Sequence, residues 1–338
     1  MCAPAWAAQI IRYVDPDATG AEDGTSWTDA YQTLNEWEGR EAVDLDAANN
    51  YMTVYLRSSG GTADPNYVDL FGWTTSETDY IEIIQDDTPT DGIYDATKYR
   101  MTNSSSSDTL AVREGWVHVH GLQIVMSHTG TTQATAILTS AAPSGSVVYF
   151  DSCIIKMVGT TSGNIYGFYI GTNGAGSRIY NCTIHGNAQG YGVWGSLGTT
   201  AIWNSTIYNW GTGVYDQAGY LQIINTAIGQ CGNDISGGDL LENNLTNDND
   251  GDSPQIPLSQ DWDNEFVDAN NGDFHLVTGG NAIGNGQDDL GAGVYIDDIR
   301  GVLRTSTWDI GAYEIGDDPG APTGPTEGNA FMSTYNPN

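Results

Sequence analysis

The chain has 338 residues, with 43 Asp plus Glu against 10 Lys plus Arg and a formal net charge of −33. Such a surface repels nucleic acid and anionic membrane while favouring solubility and cation binding, so no nucleic-acid partner is expected. Aromatic residues make up 10% of the chain, which argues against a disordered polyanion, and no apolar run reaches the roughly 18 residues that membrane insertion requires.

The chain opens on MCAPAWAAQ, an Ala-rich stretch like the tail of a secretory signal but without its basic start or apolar core. IIRYV, beginning at Ile10, then reads as a strand. Ser26 stands three residues before Asp29, a capping box expected to open an amphipathic helix with Trp27, Ala30, Tyr31, Leu34, Trp37 and Leu45 on its apolar side. Residues 1–48 are therefore expected to be a strand and a helix that covers the first coil of a solenoid. Met52–Arg57 and Tyr80–Gln85 are further strands, and Pro89 and Gly92 make the acidic DDTPTDG an ordinary loop rather than a calcium site. In VHVHGLQI, from Val117, the histidines His118 and His120 alternate with inward valines and should face away from the core, as a solvated strand face or as a metal pair.

From Tyr149 to Gln230 the chain repeats itself. YFDSCIIK, IYNCTIHG, IWNSTIYN and IINTAIGQ align Asp151, Asn181, Asn204 and Asn225 in one column and Ile154, Ile184, Ile207 and Ile228 in another. Each of the first three is followed by a short strand (YGFY, YGVW, TGVY) with Gly167, Gly192 and Gly213 aligned. The column offsets are 30, 23 and 21 residues (151 to 181, 181 to 204, 204 to 225), a fixed core with a variable loop. Short β-branched and aromatic runs broken by Gly, Asn, Ser and Thr exclude helical and leucine-rich repeats. The expectation is an all-β protein, a single right-handed parallel β-helix over residues 49–315. The Asp/Asn column is read as a structural ladder of inward side chains at a turn, which also sets aside glycosylation at the Asn181 and Asn204 sequons. Val119, Ile154, Ile184, Ile207, Ile228, Phe168, Val193 and Val214 are the expected core. Tyr169, Trp194 and Tyr215 should then stack outward on successive coils, a stripe on which sugar rings could lie.

Cys153 and Cys182 fall at different offsets from the ladder column, so no disulfide between them is expected, and neither Cys2 nor Cys231 has a zinc-site spacing. NDNDGD, with Asp248, Asp250 and Asp252, resembles a calcium loop but lacks the EF-hand Glu and any following helix. Calcium is thus possible, and no cofactor is required. Residues 316–338 form a Pro/Gly linker ending in Phe331, Met332 and Tyr335, read as a flexible tail with an apolar docking peptide.

EFVDANNGDFHLVTGGNAIGNG (Glu265 to Gly286) and DIRGVLRTSTWDIGAYE (Asp298 to Glu314) resemble the closing coils of secreted bacterial surface proteins and phage-encoded right-handed β-helix proteins, relatives of the pectate-lyase-like group. YVDPDATGAEDGTSWTDAYQTL is similar to the usual start of that group. GWTTSETDYIEIIQDDTPTDGIYDATKY resembles a block of virus-encoded members. The resemblance covers about residues 10–315 and implies fold more strongly than activity. It suggests an extracellular, cell-surface or virion protein with structural or adhesive work; the aromatic stripe adds contact with polysaccharide, and the apolar tail adds assembly as a homo-oligomer, larger particle or filament. The other readings are an inert assembly subunit that binds only cations, or a polysaccharide lyase or glycoside hydrolase of the pectinase type. Against an enzyme, only Arg113, Lys156 and Arg178 fall in the regular coils, and His185–Gly186 echoes one piece of the polygalacturonase pattern without its Asp pair or Arg-x-Lys element.

Overall fold

The computed structural model describes residues 7–104, 108–140, 142–159, 163–171, 176–217, 220–238, 240–246, 256–257, 262–288, 296–304 and 307–315. Among these, parallel strands form three sheets of nine, eight and seven strands, and the chain visits the three sheets in rotation. One turn shows the plan: Gly176–Tyr180 lies in the nine-stranded sheet, Thr183–His185 in the eight-stranded and Tyr191–Leu197 in the seven-stranded sheet. Each then pairs in parallel with its counterpart one coil later. The molecule is a right-handed parallel β-helix. Parallel pairing satisfies the backbone of every inner coil, and the β-branched residues that fill the strands suit a surface buried against the coils above and below.

The inward columns form one apolar core. Val119, Phe150, Ile179, Ile202 and Ile223 are partners on successive coils of the nine-stranded sheet. Ile124, Ile155, Ile184, Ile207 and Ile228 do the same in the eight-stranded sheet. The expected core residues are all buried, but the first repeat is displaced by one residue. Phe150 and Ile155, rather than Tyr149 and Ile154, occupy the inward columns, and Ile154 is buried in a second apolar cluster outside the coils. Asp151 accordingly pairs with Tyr180, not Asn181. The residue that belongs with Asn181, Asn204 and Asn225 is Ser152: these four and Asn243 share a left-handed backbone at the corner, with φ between 50° and 55°. Asn and Ser tolerate that conformation at a modest cost, which accounts for the column.

The side chains link as a ladder, Asn225 donating to Asn204 Oδ1 at 3.1 Å and Asn181 to Asp151 Oδ1 at 3.2 Å, but they face outward from the coils rather than inward. Asn225 exchanges hydrogen bonds with the backbone of Gln287, and Asn181 Oδ1 accepts from Arg304, so the column faces a later segment that covers it. The inward polar stack is the next column, Cys153, Cys182, Ser205, Thr226 and Asn244. Its members reach backbone carbonyls of their own or the preceding coil, as Asn244 Nδ2 does with Ile223 O at 2.8 Å. Cys153 and Cys182 therefore lie on the same side of adjacent coils, contrary to the offset inferred from sequence, and both are free thiols.

Both ends also depart from expectation. Ala8–Val14 pairs along its whole length with Asn50–Leu56, so the solenoid begins before residue 49. Ser26 and Asp29 close a turn through their side chains rather than starting a helix. Helix α1 spans Leu34–Glu41, with Thr33 accepting from Glu36 N as N-cap, and a short α2 spans Leu45–Ala48 behind Asp44. Leu34, Trp37 and Leu45 are fully buried with the first coils, so the helices do cover the N-terminal end of the core. At the other end, among the described residues, coil strands run to Ile256–Pro257. The segments expected to form closing coils instead return along the outside. Phe266–Asp268 and Asp273–Leu276 make an antiparallel pair. Trp262, Phe266, Phe274, Ala282, Ile310, Ala312 and Tyr313 then pack with Ile154, Tyr208, Ala227 and Leu245 of the eight-stranded sheet as the second core. This strap buries outer faces that would otherwise be wet.

Candidate functional site

With the eight-stranded sheet under the strap, the seven- and nine-stranded sheets carry the two groups of outer side chains that bear chemistry. On the seven-stranded sheet, Tyr169, Trp194 and Tyr215 are partners on successive coils, as expected. Their rings stack, Tyr169 on Trp194 at 6.3 Å and 3°, Trp194 on Tyr215 at 4.3 Å and 29°. All three are half-buried. Tyr166 and Tyr191 form a second stacked column beside them, 5.5 Å apart at 11°. Their edges meet the first column nearly at right angles, Tyr191 against Trp194 at 4.5 Å and 88°. These two were missed in the sequence, although the aligned first letters of YGFY and YGVW carried the signal. The glycine that follows each is required: a Cβ on Gly167 would lie 2.5 Å from Gly192 O, and one on Gly192 would lie 2.6 Å from Gly213 O. The result is a five-ring platform held together by stacked and T-shaped contacts, and the partly exposed parts of Tyr169, Tyr191, Trp194 and Tyr215 offer dispersion and C–H contacts to an apolar ligand face.

On the nine-stranded sheet, His118 and His120 do point away from the core, and the His120 side chain stays 43% exposed, but each is engaged by neighbouring coils rather than facing the other as a metal pair. His118 sits between Tyr80 and Tyr149, at 5.4 and 4.5 Å, extending a ladder that starts with Tyr51 on Tyr80 at 5.0 Å. Burial pushes its pKa down to about 4, so it is neutral near pH 7. His120 Nδ1 lies 2.8 Å from Asp151 Oδ2, and Asn181 donates to the other carboxylate oxygen at 3.2 Å. Burial opposes protonation of His120, but the hydrogen bond and charge of Asp151 outweigh it and lift the pKa to about 9. Asp297 of the strap is raised to about 6, first by burial and then by repulsion from Asp151. Glu82, one coil earlier, accepts from Thr53 Oγ1 at 3.0 Å and is raised by burial. A carboxylic acid with a raised pKa on the same sheet as a histidine-held carboxylate is the raw material of acid–base chemistry. The register counts against a hydrolase pair, however. Glu82 partners His118, whereas Asp151 partners His120 one coil further on, so their Cα atoms stand about 12 Å apart from a coil spacing of about 4.8 Å and a rise of about 3.3 Å per residue. Sequence reasoning missed Glu82 and Asp297, since nothing local connects either to His120.

Lys156, one of the cations singled out in the coils, lies over the Tyr94 ring at 5.2 Å, and Arg113 is paired with Asp69 at 2.6 Å. Among the described residues no group of three or more His, Cys, Asp or Glu is arranged to hold a metal ion. The expected calcium residues Asp248, Asp250 and Asp252, and the expected docking residues Phe331, Met332 and Tyr335, lie outside the described residues.

No protein-family model matches this chain. No curated protein matches it either. Among solved structures, a rhamnogalacturonan lyase superposes with a TM-score of 0.43 at 14% identity, over 70% of this chain and 68% of that one. The pectate lyase Pel9A superposes with a TM-score of 0.40 at 12% identity, over 92% of this chain and 97% of that one.

Proposed function

We propose that the protein is a non-catalytic, rigid β-helical adhesin or structural element of a cell exterior or virion that holds glycans on the aromatic platform of its seven-stranded sheet. The observation that carries this reading is the half-exposed stack Tyr169–Trp194–Tyr215, buttressed edge-on by Tyr166 and Tyr191. Packing among rings explains their mutual contacts but not why three large aromatics stay half-open to water on successive coils, where small polar residues would satisfy the fold. The charge of −33 supports a protein kept soluble and separate at high local density. Residues 316–338 are proposed to tether it to a further copy or a host particle, which deletion of that segment and measurement of mass by light scattering would test. The experiment for the glycan reading is a glycan array probed with the native protein and with Trp194→Ala: retained binding in the variant removes the platform as the site.

Glu82 on the nine-stranded sheet favours a second reading, a polysaccharide-cleaving enzyme in which Glu82, its pKa raised by burial, serves as acid while the His120–Asp151 ion pair positions the polymer. Release of reducing or unsaturated ends from a polysaccharide panel, abolished by Glu82→Gln, would replace the first reading with the second.

A further inference from the structure

Resting on the platform reading, we infer that the site takes uncharged pyranose polysaccharides and excludes polyuronates and other polyanionic glycans. Cations are few in this chain, and they are committed away from the platform. The sequence holds 10 Lys plus Arg, and all of them fall within described residues. Five lie at or before Arg100: Arg12 pairs with Glu41, Arg57 pairs with Asp15, Arg40 and Arg100 donate to backbone carbonyls, and Lys98 lies in the field of Asp87 and Asp95. Two belong to the strap and are tied to Asp298 and Glu314. Lys156 and Arg178 stand on strands of the other two sheets.

The seven-stranded sheet is left with Arg113, immediately after Asp108–Val112 and two coils before Tyr169. Its guanidinium is spent on Asp69 at 2.6 Å and Ser140 at 3.0 Å. Asp216 follows Tyr215 on the same strand, and its carboxylate is turned to the next corner, where it accepts from Leu221 N at 3.1 Å, so it brings no cation to the platform. A uronate carboxylate laid on these rings would lose water without meeting a guanidinium or ammonium, and a desolvated unpaired carboxylate is costly. It would also approach a molecule with a formal charge of −33. A neutral pyranose meets neither obstacle, and its C–H faces match the platform's stacked and edge-on rings.

The test is affinity electrophoresis of the full chain in gels cast with a neutral β-glucan, with polygalacturonate, and with the same polygalacturonate after methyl esterification, each with and without calcium. Trp194→Ala and Tyr215→Ser are run beside the native protein, with thermal melts confirming that both variants fold. Retardation by the neutral glucan, weakened about tenfold or more in both variants, with none by polygalacturonate under either calcium condition and its appearance on the esterified polymer, supports the inference. Retardation by polygalacturonate equal to that by glucan and lost in Trp194→Ala would overturn the charge selection while leaving the platform standing. Equal mobility of native and variant proteins in every gel would overturn the platform reading and this inference together.

Discussion

Replacing Arg304 by Met should release the strap from the coils. The Arg304 side chain is fully buried, and its three nitrogens reach Asp297 O at 3.1 Å, Asp309 O at 3.2 Å, Glu314 Oε2 at 3.3 Å, Asn181 Oδ1 at 3.4 Å and Gly311 O at 2.9 Å. Four of these partners belong to the strap and one to the corner column of the solenoid, so one guanidinium both shapes the strap and fastens it. Methionine fills much of the volume but takes the guanidinium away from the Glu314 carboxylate, which is 4% exposed. Removing one partner of a buried pair costs about 3–5 kcal/mol, most of it the penalty of the orphaned charge. At 1.4 kcal/mol per tenfold, hydrogen-exchange protection should fall on the order of 10² to 10³ or more at the amides of Gly311 and Ala312, which donate to Asn225 O and Thr206 Oγ1. Amides of the inner coils, such as Val193 and Val214, should keep their protection. Adding Glu314→Gln to the Arg304→Met variant should recover part of the loss, because the orphaned charge is then gone. Unchanged protection at Gly311 and Ala312 in the single variant would show that the second apolar core alone holds the strap and that the guanidinium is dispensable.

Ile207 is fully buried between Ile184 and Ile228 on adjacent coils; Ile207→Ala should lower the unfolding free energy by about 2–5 kcal/mol in chemical denaturation, and a loss below about 1 kcal/mol would mean that the column is loosely packed. The strap's attachment should also weaken as pH rises. His120 has a folded pKa of about 9, above the ordinary value of 6.5, so its contribution is whole below that ordinary value and lost as pH climbs through 9. Asp297, at about 6 against an ordinary 3.8, acts in the same direction: its contribution is present below 3.8 and lost as pH rises through about 6. Because His120 is 43% exposed, the effect is screened by solvent. Melting temperature followed from pH 6.5 to 9 should fall less steeply in His120→Asn than in the native protein, and equal slopes would contradict the assignment.

The solenoid was legible because its contacts lie one coil apart. Asn181, Asn204 and Asn225 recur at successive spacings of 23 and 21 residues, and the left-handed corner they occupy admits few residue types. The one-residue slip at the first repeat arose from matching Asp151 to Asn181 by chemical likeness, whereas the inward Cys153 and Cys182 carried the true register. Periodicity alone does not separate the two choices, since Tyr149–Phe150 and Ile154–Ile155 each offer two apolar residues in a row. The strap left no local signature at all: Arg304 meets Asn181 across 123 residues, and its segments read as strands and turns like those of any coil. The platform was half legible. Alternation placed Tyr169, Trp194 and Tyr215 outward, while the buttressing rings of Tyr166 and Tyr191 became visible only through their nearly perpendicular contacts.

Whether the aromatic platform is the glycan site can be decided by soaking a crystal of the full chain with a neutral β-linked hexasaccharide. At least two sugar rings should lie over Trp194 and Tyr215, with the nine-stranded sheet empty. A sugar bound beside Glu82, His120 and Asp151 on the nine-stranded sheet, with the aromatic platform bare, would contradict the assignment.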